Sequence, residues 1–118
     1  MKRDMDITRT IVFAVRDSSV PVSGVQGIPP EVFAYHAQIL EEAGMVEASL
    51  LPDDGKRPAT VADIFRLTWD GQDFADAAAD DTVWNNAKDK ILKPAASWTF
   101  AMLLEYLKVE AKAKLGIP

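Results

Sequence analysis

The sequence predicts an α+β fold, with one two-stranded hairpin set among helices, and three observations carry that expectation. A helical stretch from Pro30 to Ala43 is closed by Gly44 and runs straight into an apolar segment, Met45–Leu51. A second apolar, β-branched segment begins at Ile64, after a connection from Pro52 to Asp63 that is dense in turn formers. Helical periodicity resumes at Trp69 and continues, with interruptions, to the end of the chain.

The elements follow in order. Asp4 is placed to cap a first helix, in which Met5, Thr8, Ile11, Val12 and Val15 recur at spacings of three and four. Asp4 and Asp6 lie at its positive end and Arg16 at its negative end, as the helix dipole favours. Val20-Pro21-Val22 is expected as a short edge strand, because proline is confined to edges and strand starts. Gly24, Gly27 and Pro29-Pro30 make the next stretch a loop. In the helix that follows, Phe33, Ala37 and Leu40 share one face, flanked by His36 and Ile39. Ala34, Tyr35, Gln38, Glu41 and Glu42 are expected to face outward. Thr68 caps the helix that starts at Trp69, with Phe74, Ala77 and Ala78 inward. Asp80-Asp81-Thr82 restarts a helix through Val83, Trp84, Ala87, Ile91 and Leu92, which Pro94 breaks. Ser97 or Thr99 opens the last helix, whose stripe is Phe100, Leu103, Leu104, Leu107 and Ala111; Gly116-Ile117-Pro118 stops it. Trp69, Trp84 and Trp98 are all expected to join the core.

In this order the middle of the chain resembles the second half of a winged helix-turn-helix domain: recognition helix, strand, wing, strand, helix. The resemblance predicts a winged-helix-like core, extended by helices over about residues 69–118. The supporting helix that normally precedes a recognition helix is expected to be absent or a single turn. Too many glycines and prolines stand between Val20 and Pro30 to build one.

A chain of 118 residues with 48% apolar and 26% charged side chains suits one soluble globular domain. It has no cysteine, which excludes disulfides, thiolate metal sites and thiol catalysis. No apolar run approaches the ~20 residues that span a bilayer, and the charged start Met1-Lys2-Arg3-Asp4 is unlike a secretory signal. A cytoplasmic location is therefore expected. The net charge of −5 is uneven, because residues 31–81 hold three basic and twelve acidic groups.

That acidity bears directly on function. DNA contact would use Tyr35 and Gln38 on the recognition-type helix, Lys56 and Arg57 at the wing tip, and Lys2 and Arg3 as an amino-terminal arm. Against it, the same helix carries Glu31, Glu41 and Glu42 and no lysine or arginine, although phosphate neutralisation supplies most non-specific affinity. The alternative is an acidic protein-binding module or nucleic-acid mimic. Leu103, Leu104 and Leu107 could then form a homodimer seam, or else lie in the chain's own core. Catalysis has little support. His36 is the only histidine and has no companion nucleophile; Asp73, Asp76 and Asp80 share a helical face and read as a solvated acidic surface rather than a metal site. No phosphate loop, dinucleotide fingerprint or cofactor motif is present. A non-enzyme without metal or cofactor is expected.

Several blocks together resemble a domain-of-unknown-function family of bacteria and their phages and prophages. They are Lys2-Arg3-Asp4-Met5-Asp6, Tyr35-His36, Glu42-Ala43-Gly44-Met45-Val46, Leu67-Thr68-Trp69-Asp70-Gly71, Asp80 to Asn85 and Ser97 to Phe100. Gln72 stands where many members have histidine. The resemblance implies a winged-helix-like fold and carriage on mobile elements, and it brings no activity with it.

Overall fold

The computed structural model describes residues 1–93 and 99–116. Its elements are α1 (Met5–Arg16), α2 (Pro30–Glu42), β1 (Val46–Leu51), β2 (Val61–Leu67), α3 (Trp69–Ala77), α4 (Asp81–Ala87), a π-helical turn (Lys88–Leu92) and α5 (Phe100–Lys114). The fold is α+β, with five α-helices and one two-stranded antiparallel sheet among the described residues. Its contacts divide it into two compact units, Met1–Ala75 and Asp76–Pro118.

In the first unit α1 packs on β2 and α2, and α2 packs on both strands. Asp4 caps α1 by accepting from the amides of Asp6 and Ile7, and Met5, Thr8, Ile11, Val12 and Val15 are all buried, as their spacing predicts. Burial on α2 is broader than one stripe. Ala34, expected outward, is fully buried, because α2 meets α1 as well as the sheet. Gly44 closes α2 at φ +76°. Its amide bonds the Glu41 carbonyl while Met45 N–H reaches the Leu40 carbonyl, a pairing that turns the chain into β1 and satisfies two of the last helical carbonyls.

The expected pairing of the two strands is present, and β2 begins earlier than the apolar pattern indicates. Val61, Ala62 and Asp63 pair with Leu51, Leu50 and Ser49, so the connection shrinks to 52–60. A bulge between Glu47 and Ala48 leaves Phe65 as the extra residue of β2. The predicted edge strand around Pro21 reduces to one bridge, in which Val22 and Ile64 exchange both backbone hydrogen bonds at 2.9 Å. No supporting helix forms before α2. A turn closed by Ile28 N–H on the Val25 carbonyl takes its place.

Thr68 caps α3 through its hydroxyl, which accepts from Gly71 N–H and donates to the Gly44 carbonyl. Phe74, Ala77 and Ala78 are buried as expected. Trp69 is not: it is 82% exposed. It lies roughly 140° around the helix from Phe74, so with Phe74 inward its ring points away from the core.

In the second unit α4 packs on α5. Asp80 caps α4, and Val83, Trp84 and Ala87 are buried. The helix expected to run evenly to Leu92 instead widens after Ala87, where Lys93 N–H bonds the Lys88 carbonyl five residues back. Thr99 caps α5, and Leu103 and Leu107 are its buried residues. The expectations for Pro94, Ser97, Trp98, Ile117 and Pro118 lie outside the described residues. No helix among the described residues is long and apolar enough to cross a membrane.

Candidate nucleic-acid interface

The sequence-predicted contact residues fall on three segments of the first unit: the amino-terminal arm, α2 and the β1–β2 connection. The arm is held against α2. Asp4 N–H donates to Nε2 of His36 at 2.9 Å, and His36 Nδ1 lies 2.8 Å from the Val32 carbonyl. A carbonyl can only accept, so Nδ1 carries the proton and Nε2 is the acceptor. His36 is thus a buried linker between the start of α1 and the middle of α2. Lys2 and Arg3, which precede Asp4, are exposed, and the ring of Tyr35 stands edge-on to the imidazole at 5.3 Å.

Gln38 is half-buried and engaged. Its Oε1 accepts from Ala59 N–H at 2.9 Å, tying α2 to the end of the hairpin connection. Only its amide nitrogen is left for an outside acceptor. At the connection itself, the Asp54 carboxylate accepts from the backbone amides of Lys56 and Arg57 and pairs with the Arg57 guanidinium at 2.8 Å. These bonds, the Lys56 amide first, hold the Asp54 carboxyl below its ordinary range. The same bonds order the tip, and they spend part of the Arg57 charge locally. Lys56 remains exposed beside it.

The acidic surplus of this unit is less available than its count suggests. Glu41 accepts from Ala48 N–H at the bulged edge of β1, and Glu47 forms a two-bond pair with Arg66 across the strands at 3.0 and 2.8 Å. Asp63 accepts from the Ser23 hydroxyl, beside the Val22–Ile64 bridge. Glu31 and Glu42 stay exposed on α2. Of these ties, sequence periodicity foretells none, because each joins segments distant in the chain or crosses the bulge. Among the aspartates read as one solvated face, Asp80 is taken up by the α4 cap and by Lys114 of α5 at 2.7 Å.

Residues 2–97 match the family described as Hypothetical protein (DUF2513). The chain belongs to this family. An uncharacterized protein of Haemophilus influenzae is 35% identical to it over 98 residues, covering 77% of this chain and 79% of that one. No solved structure matches. The DUF2513 match takes in every element from α1 to the π-helical turn, and α5 lies past its end. Two of the blocks that carried the resemblance meet in space, since the Asp4–His36 bond joins the opening Lys-Arg-Asp run to the Tyr-His pair.

Proposed function

We propose that this DUF2513 protein is a non-enzymatic DNA-binding regulator of winged-helix type. The observation that carries the reading is the order of elements in the first unit. α1, a bridged residue at Val22, a turn, α2, β1, a hairpin connection and β2 follow the winged-helix sequence with its middle helix reduced to a turn. In this reading α2 is the recognition helix and residues 52–60 are the wing. The Gln38–Ala59 bond sets the distance between them. Lys56, Arg57, Lys2 and Arg3 contact phosphates, and Tyr35 faces the groove. Gln38 serves mainly to position the wing, with its amide N–H groups and the second lone pair of Oε1 left to read a base edge.

Glu31 and Glu42 make α2 a poor phosphate neutraliser, so most of the affinity must come from the arm and the wing. The test is binding to mixed-sequence duplex DNA at two salt concentrations. Association that weakens steeply with salt supports the reading. Folded protein that binds no duplex at low salt overturns it.

A second reading, a protein-binding module, is favoured by the outward apolar residues of the same unit. Leu51 and Val61 pair on the outer face of the sheet, Phe65 is 53% exposed at the bulge, and Trp69 is bare. Loss of duplex binding together with a saltless, Trp69-dependent association with protein would transfer the assignment to that reading.

A further inference from the structure

Two leucines of α5, Leu103 and Leu107, face inward, Leu104 is half-buried, and a different stripe of that helix is left outside. Leu103 and Leu107 are buried in the second unit and are not free to form a seam. On the opposite side Met102 is 49% and Val109 55% exposed, with Glu105 between them and Lys112 beyond. Ile91, Tyr106 and this stripe border an open groove of about 580 Å³. We propose that this face of α5 is a self-association surface, on which two copies of the chain pair antiparallel about a two-fold axis at Val109.

The charge pattern selects both the occupant and the direction. On a helical wheel Glu105 and Lys112 lie close together on one side of the Met102–Val109 line, and Tyr106 and Ala113 on the other. A two-fold axis through Val109 brings the residue four positions before it level with the partner's residue four positions after. Glu105 then falls within one residue, roughly 1.5 Å of rise, of the partner's Lys112, on the same flank. The symmetry makes this opposite-charge match twice. The other flank brings together Tyr106 and Ala113, which carry no charge, with Glu110 farther round the helix on that side, and Val109 meets its own copy at the centre. A parallel pair sends the charged flanks to opposite sides and leaves both unmatched. One helix thus supplies an apolar seam and a flank complementary to itself, which is what an isologous interface requires.

The test is sedimentation equilibrium of the full chain from about 1 μM to about 1 mM, a range that spans weak dimers. The wild type is expected to show a reversible monomer–dimer equilibrium. Val109→Arg should raise its dissociation constant at least about tenfold with helical circular dichroism and melting unchanged, since the side chain is exposed. Glu105→Lys should weaken the dimer, and adding Lys112→Glu to it should restore association. A wild type monomeric throughout overturns the proposal, as does a dimer indifferent to Val109→Arg. So does a double variant that stays as weak as Glu105→Lys alone.

Discussion

The Cα of Gly71 lies so close to the Met45 carbonyl that a Cβ built on it stands 2.0 Å from that oxygen. The close approach is between backbones: Met45 O also accepts from Thr68 N–H at 2.9 Å, and the Thr68 hydroxyl caps Gly71. Gly44, Met45, Thr68 and Gly71 therefore form one junction where α2 ends, the sheet begins and ends, and α3 starts.

Gly71→Ala is accordingly expected to destabilise by about 2–3 kcal/mol or to prevent folding, because a backbone oxygen cannot rotate away. Elsewhere in a helix the same change gains up to about 1 kcal/mol. Urea denaturation reads the sign, and a more stable variant would contradict the packing.

Two tryptophans should behave in opposite ways. Trp84 is 2% exposed, and its replacement by alanine should cost about 3–5 kcal/mol. Trp69→Ala should change stability by no more than about 0.5 kcal/mol, as for an exposed residue without partners in the core. Melting curves of the two variants, collected side by side, check the assignment.

His36→Ala removes both the Val32 and Asp4 contacts of the imidazole and leaves a cavity at a buried site. A loss of about 2–4 kcal/mol is expected. A second, local readout is hydrogen exchange: the Asp4 amide should exchange faster in the variant by more than the global loss alone explains.

Asp80 joins α4 to α5. Its hydrogen bond to Lys114, followed by that from the Val83 amide, holds its carboxyl below the ordinary carboxylate range. A carboxyl depressed in the folded state contributes stability that is present above its unfolded value and lost as pH falls through the folded one. Stability should therefore decline on acidification below about pH 4. In a carboxyl-carbon NMR titration the Asp80 midpoint should move upward in Lys114→Ala. An unmoved midpoint would mean that the ion pair does not persist in solution.

Much of this architecture was legible before the structure, for local reasons. α1 announced itself through Asp4 and through four apolar residues and Thr8 at helical spacing, each of which is buried. Gly44, Thr68 and Asp80 marked helix ends because caps are chosen by the conformation and hydrogen bonding of a few adjacent residues. The surroundings of the candidate contact residues were less legible. Tyr35, Lys2 and Arg3 could be named, but not the Asp4–His36 bond that ties the start of α1 to the middle of α2. Gln38 read as a surface residue because helical periodicity sees the helix and not the hairpin that returns to lie against it.

What the chain decided by itself is the helix ends that carry their own caps, at Asp4, Gly44, Thr68 and Asp80, that the segments from Met45 and from Ile64 pair as strands, and that cysteine chemistry is closed to it. These follow from interactions between residues within about one turn, or two strand positions, of each other. Only tertiary packing decided that Ala34 is covered, that Phe65 is squeezed out at a bulge, and that Gly71 admits no side chain. Each of those outcomes depends on which distant element lies against the residue, and linear periodicity carries no record of that neighbour.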